Sequence, residues 1–153
     1  MVSKEFNMST LRVIPLFCKV SEEALEDIRP ALKVAKLGEG EVVVKEGDAA
    51  DKLFVLVSGE VQIIKNYLEP GAQTVDVLKP GSYFGEMALV GEPTVRSATA
   101  VTAEKSHFVT LDREAFRAVL LRNPEMAVAI LEETFRRLRQ ANELIASLQQ
   151  DLG

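Results

Sequence analysis

At 153 residues the chain has room for one compact domain with a real core, and not for a second one of full size. Its formal charge of -5 is spread over intermixed acidic and basic residues, which leaves no basic footprint for a phosphate backbone or an anionic membrane; no direct nucleic-acid binding is expected. A single His and a single Cys supply neither disulfides nor cysteine-rich metal sites. In chain order, the stretch Met1 to Val20 carries charge at Lys4, Glu5, Arg12 and Lys19 and lacks the apolar run of a signal peptide. No later run approaches a membrane span, so a cytoplasmic address is expected. Cys18, between Phe17 and Lys19, reads as a small core residue, the usual fate of a free cysteine. Ser21 followed by Glu22 and Glu23 is an N-cap signal, and Leu25, Ile28 and Leu32 recur at helical spacing, which makes 1–32 an N-terminal helical segment.

From Lys33 to Asp112 the texture changes to short apolar or alternating runs: Val42 to Val44, Leu53 to Val57, Val61 with Ile63, Val75 with Val77, Ala98 with Ala100, and Val109 with Leu111. Gly-rich turns separate them, at Gly38-Glu39-Gly40, Glu46-Gly47-Asp48, Ser58-Gly59-Glu60, Pro70-Gly71 and Pro80-Gly81. Strands arriving at this rhythm predict a mainly β fold, a β-roll over 33–112 of the double-stranded β-helix or jelly-roll kind. The helical period returns over 113–153. Asp112 is the cap, with Phe116, Val119 and Leu120 on one face, and Asn123-Pro124-Glu125 starts a long C-terminal helix of about 25 residues. Along it Leu131, Leu138, Ile145 and Leu152 fall seven apart, with Thr134, Ala141 and Leu148 between them. That is a candidate homodimer seam, although the flanking positions lack complementary charges; the alternative lays the stripe on the protein's own β-roll.

The segment Phe84 to Thr99 sits inside the β-region without alternating. Gly85-Glu86-Met87-Ala88-Leu89 has the composition of one helical turn, whose first backbone N–H groups can hold an anion, and a Gly at its entry allows close approach. Ten residues after Glu86 comes Arg96, at the start of the small-residue run Ser97-Ala98-Thr99-Ala100. Between Val95 and Ala98, a guanidinium is desolvated only if a negative group answers it. Two readings stand side by side: an internal ion pair with Glu86 or Glu92, and an anion receptor in which helix N–H groups and Arg96 converge on a phosphate. A planar guanidinium matches two phosphate oxygens, Ser97 adds a hydroxyl donor, and Glu86 suits a sugar hydroxyl.

The run Phe84-Gly85-Glu86-Met87-Ala88-Leu89, a short loop, then Arg96-Ser97-Ala98 resembles the phosphate-binding cassette (84–98) of the cyclic-nucleotide-binding domain family, represented by the catabolite activator and the regulatory subunit of protein kinase A. The similarity extends to Gly40-Glu41, Glu46-Gly47-Asp48, Leu53 to Val61 and Asn123-Pro124, and so covers most of the chain. It implies a β-roll with flanking helices around a cyclic nucleotide. Arg96 would bind the exocyclic phosphate oxygens, Glu86 the ribose 2′-hydroxyl, and Ser97 the phosphate, with the backbone at Gly85 and Ala88 assisting. Phe84 and Met87 would form pocket wall or core. The helix after the roll closes the pocket in this family, so Arg137, Ala141 and Asn142 are candidates to face Glu86 or the base. Ser97 favours cyclic AMP as ligand and leaves cyclic GMP open.

Members similar to the catabolite activator carry a DNA-reading helix-turn-helix beyond the long helix, whereas this sequence stops at Gly153; the expectation is either a stand-alone sensor that acts on an unknown effector protein or a part of a larger regulator. Binding would draw the short helix and the Arg96 strand together, and Leu89 and Val90 would pass the movement to the terminal helix. Two other classes compete. A cupin-like metalloenzyme needs clustered imidazoles, which His107 alone cannot supply, so no catalytic or metal-ligating residue is expected. An interaction module would have an empty pocket and use only its last helix.

Overall fold

The computed structural model describes residues 11, 12, 14, 16–18, 20–85 and 95–152. Ser21 caps the first helix as its composition demands: its hydroxyl accepts from the Ala24 amide at 3.2 Å and α1 (Glu22–Ile28) follows. Pro30 has no N–H to continue the helical ladder, and α1 gives way to a single 3-10 turn, Arg29–Ala31. The strands are β1 (Lys33–Leu37), β2 (Val42–Val44), β3 (Lys52–Ser58), β4 (Val61–Lys65), β5 (Gln73–Leu78), β6 (Tyr83–Phe84), β7 (Thr99–Thr102) and β8 (Ser106–Asp112). They form two antiparallel sheets, ordered β1-β8-β3-β6 and β2-β7-β4-β5. The mainly β architecture with flanking helices is therefore the one observed.

Beyond the roll, the Asp112 carboxylate accepts from the Ala115 amide at 2.8 Å and opens α2 (Arg113–Arg122). Asn123 is buried, and its side chain donates to the Val119 carbonyl at 2.9 Å, which ends α2 and turns the chain into α3 (Pro124–Leu152). This helix is 29 residues long, one turn longer than its sequence pattern suggests.

Strand β3 explains why the roll is stable. Leu53, Phe54, Val55 and Leu56 are all buried, because both faces of the strand are covered. Leu53 and Val55 join Leu111, Val109, Phe116, Val119 and Met126 beneath the helices, together with Leu11, Leu16 and Phe17 from the N-terminal segment. Phe54 and Leu56 point into the roll and meet Val61, Leu78, Ala100 and Phe108. The β3–β4 turn is tied to this packing through Gly59. Its φ is +102, and a Cβ there would collide with the Ser106 side chain and come within 2.6 Å of the Lys105 carbonyl.

Several expectations change. Cys18 is exposed, not a core residue: the larger neighbours Leu16 and Phe17 occupy the interior, and Cys18 takes the outward side of the same turn. The small-residue strand begins at Thr99, so Arg96 and Ser97 precede it; Val95 makes only an isolated bridge to Ala49. Strands β1 and β6 are additional. In β1, lysines 33 and 36 break the apolar run, and β6 is only two residues long. The heptad stripe does not lie on the roll: Leu131, Leu138, Ile145 and Leu152 are each more than half exposed. The apolar packing of α3 on the body comes from its first turns, through buried Met126 and partly buried Ile130.

Candidate functional site

Arg96 is held by its backbone before its side chain is considered. Its amide donates to the Asp48 carbonyl at 2.8 Å and its carbonyl accepts from the Gly47 amide at 2.9 Å. The Glu46 amide donates to the Thr99 hydroxyl oxygen at 3.0 Å. The Glu46-Gly47-Asp48 turn thus straps the approach to β7 in place, a job its composition did not disclose. The Arg96 side chain is buried, 7% exposed, and Nη2 donates to the Lys52 carbonyl at 2.9 Å. Its Cζ lies 5.8 Å from the centre of the Phe54 ring, within cation–π reach. Phe54 in turn stacks on Phe84 at 5.0 Å, and both meet Phe108 edge-on. An aromatic floor therefore sets the height of the guanidinium.

Gly85 follows Phe84 directly, and its role is steric. With φ at +94, a Cβ would stand 2.5 Å from Arg96 Nη1 and 2.5 Å from the Lys52 carbonyl oxygen. No side chain fits between the elbow and the guanidinium, so glycine is what lets Arg96 lie against the backbone here. The remaining cassette residues 86–94, Glu86, Met87, Ala88, Leu89, Val90 and Glu92 among them, lie outside the described residues.

A cavity of about 490 Å³ opens beside this arginine, within the range of small-molecule sites. Its back wall is a row on the inner face of the second sheet. Val44 pairs with Ala100, Ala100 with Ile63, and Ile63 with Asp76, and all four line the cavity. Phe84, Gly85, Arg96, Ser97 and Arg137 also line it, with Tyr83 and the apolar side chains of Val75 and Leu78. The structure thus brings five of the sequence candidates together around one space. It does not bring Ala141 or Asn142 there: both are exposed, on a turn of α3 beyond Arg137, and neither lines the cavity. Tyr83, Lys52 and Asp76 were not foreseen. Lys52 acts through its carbonyl, which no side-chain pattern reveals, and Asp76 was hidden by the apolar pair Val75 and Val77 that flanks it.

Arg137 closes the side toward α3. Its Cζ sits 5.3 Å over the Tyr83 ring, Nη2 donates to the Tyr83 carbonyl at 3.3 Å, and Nε bonds Glu133 at 3.2 Å. Glu133 also accepts from Arg136. That hydrogen bond, opposed by partial burial and aided by the charges of Arg136 and Arg137, holds the Glu133 carboxyl below its ordinary range. Behind Tyr83 and Arg137 lies a second cavity of about 520 Å³, lined by Cys18, Pro80 and the Glu132, Arg136 and Arg139 side of α3. It is slightly larger, yet it lies outside the roll and away from Arg96, so the inner cavity is the candidate site.

An antiparallel roll with a cavity on its inner face and a guanidinium in the cavity wall defines a small-molecule-binding β-roll. The comparisons make the class specific: the cyclic nucleotide-binding domain profile matches residues 34–123, and the chain belongs to that family. The CRP-like cAMP-activated global transcriptional regulator of Mycobacterium tuberculosis is 28% identical over 133 residues, covering 87% of this chain and 59% of that protein. The cyclic AMP receptor protein of Thermus thermophilus is 31% identical over 128 residues, covering 84% of this chain and 59% of that protein. The crystal structure of the Thermus thermophilus catabolite activator protein superposes with a TM-score of 0.78 at 30% identity, covering 88% of this chain and 63% of that one. The chain spans about three fifths of the length of these relatives. It is a cyclic nucleotide-binding domain of the kind found in bacterial activators and kinase regulatory subunits.

Proposed function

We propose that this domain binds cyclic AMP in the inner cavity, acts as a non-catalytic sensor in the cytoplasm, and passes the binding event to α3. The observation that carries the reading is the placement of Arg96, a buried guanidinium set against the Gly85 elbow and beside Ser97 in the wall of one cavity. Its planar fork matches two oxygens of a phosphate, and the Ser97 hydroxyl adds a donor. Glu86 takes the ribose 2′-hydroxyl on the family resemblance. Cyclic AMP is preferred because of Ser97 and because both bacterial relatives are named for it. A sensor is preferred to an enzyme because the family is one of ligand-binding regulatory domains, and the single histidine, His107, sits on β8 opposite Lys36 and Ser58 and is not among the described residues that line the cavity.

Coupling follows from Arg137, which joins α3 to Tyr83 at the cavity wall. A ligand that rewards one placement of this wall shifts the population of α3 positions by its differential affinity. The exposed stripe of α3 gives that movement a destination, a homodimer seam along Leu131, Leu138 and Ile145.

Calorimetry with cyclic AMP, cyclic GMP and AMP tests the ligand. Arg96→Ala removes a charge-assisted bidentate contact and is expected to weaken cyclic AMP roughly 30- to 1000-fold, equivalent to about 2–4 kcal/mol. Equal binding of AMP and cyclic AMP, or an unchanged affinity in the variant, refutes the assignment. For the seam, Leu138→Asp is expected to halve the mass seen by light scattering while leaving the fold intact, because Leu138 is 55% exposed. A wild-type chain that is already monomeric with ligand present retires the dimer.

A further inference from the structure

Asp76 is an anomaly on the inner face of the roll. In an antiparallel pair, residues directly opposite project to the same face. Asp76 stands opposite Ile63, and two residues further along β5 Leu78 stands opposite the fully buried Val61. The register therefore sets Asp76 on the face that Leu78 presents to the roll interior. Val44, Ala100 and Ile63 fill the rest of that row with apolar side chains, and the row ends in a carboxylate on the outermost strand. Two strand spacings, about 10 Å, separate Asp76 from Ala100 on the strand that Arg96 leads into. The cavity thus carries Arg96 on the β7 side and Asp76 on β5, with an apolar shelf between them and Arg137 on the side toward α3.

We propose that Asp76 reads the base, accepting a hydrogen bond from the exocyclic amino group of a 6-aminopurine. This deepens the cyclic AMP reading and rests on it. With the phosphate on Arg96, the sugar and base lie along the Ala100–Ile63 shelf and the far edge of the base meets β5. An ionised carboxylate only accepts, so the group it meets must donate. Adenine presents an N6 amino donor at the position where guanine and hypoxanthine present a carbonyl oxygen. One carboxylate oxygen, Oδ1, is already engaged by the Val77 amide at 2.8 Å. Oδ2 remains to accept from the exocyclic amino group of adenine. A 6-oxo purine offers no donor at that position and gains nothing from the carboxylate, the kind of polar mismatch on which specificity depends.

A charge on the inward face of an edge strand also has a plain structural use, guarding the strand against pairing with another chain. Titration separates the two. The wild-type chain and Asp76→Ala are titrated calorimetrically with cyclic AMP, cyclic inosine monophosphate and cyclic GMP, with melting curves to confirm that the variant folds. Asp76 lies in an exposed stretch of β5, so the substitution is expected to leave the melting temperature unchanged within a few degrees. Because the carboxylate is solvent-exposed, a single charge-assisted hydrogen bond there is worth about tenfold in affinity. The wild-type chain is expected to prefer cyclic AMP over cyclic inosine monophosphate about tenfold. In Asp76→Ala cyclic AMP weakens by that factor, the inosine analogue does not, and the preference disappears. A wild-type chain that binds both alike, or a variant that keeps the wild-type ratio, overturns the base-reading role and leaves Asp76 as an edge guard. No heat with any of the three nucleotides overturns the cyclic-nucleotide reading itself, and this inference falls with it.

Discussion

Strand β3 feeds two apolar clusters that share a backbone and differ in purpose. On one side Leu53 and Val55 pack under α2, the start of α3 and the N-terminal segment, where Phe17, Phe116 and Met126 are fully buried. On the other, Phe54 and Leu56 face a smaller interior whose edge opens into the cavity and carries Arg96. The first cluster is apolar apart from Tyr83, whose ring also stands in the cavity wall. The second keeps charge at its border and unfilled volume beside it, both of which cost stability, and this is where a ligand has something to supply.

If that division holds, substitutions in the two clusters should separate stability from binding. Phe116→Ala empties a site with no exposure and is expected to lower the unfolding free energy by about 3–5 kcal/mol in denaturant titrations. The affinity of the folded fraction for nucleotide should not change. A weakened affinity at full folding would show that the packing around Phe116 also shapes the cavity. Gly85→Ala is the counterpart at the border. It forces an L-residue into φ +94 and drives a methyl group against Arg96 and the Lys52 carbonyl. A loss of about 1–3 kcal/mol is expected, with nucleotide affinity falling alongside it because the guanidinium is displaced. Stability lost without affinity would mean that the elbow positions the backbone only.

The same division explains what could be read from the residues alone. The caps at Ser21 and Asp112 and the Asn123-Pro124 start are local, each set by side chains within four residues, and they stand where the sequence places them. The Gly85 and Arg96 pair is legible as a motif, since backbone freedom and a guanidinium at that spacing are unusual together. What escaped depends on pairing between distant strands. Val75 and Val77 look like the inward pair of β5, yet the register with β4, with its irregularity between Ile63 and Ile64, brings Asp76 and Leu78 to the cavity beside Val75 and leaves Val77 outside it, 43% exposed. Cys18 has the composition of a core residue in a turn whose inward places go to bulkier neighbours. Asn142 lies on the right helix, one turn too far along it to reach the cavity.

The smallest expected effect concerns the boundary between the docked and free parts of α3. Glu133 ties Arg136 and Arg137 together at the level of Tyr83, and its carboxyl is held below the ordinary range chiefly by the Arg136 hydrogen bond. A carboxyl whose folded pKa is depressed contributes stability above its unfolded value, near ~4.3, and loses that contribution as pH falls through the lower folded value. Glu133→Gln is therefore expected to melt slightly below wild type at pH 7, with the gap constant through neutral pH and closing under acid conditions. The gap should also shrink with added salt, as expected for a pair near solvent. A gap that widens on acidification would reverse the sign of the interaction. A gap that stays flat to acid pH while Arg137→Lys alone lowers the melting temperature would place the docking of α3 on the contact of Arg137 with the Tyr83 ring rather than on the ion pair with Glu133.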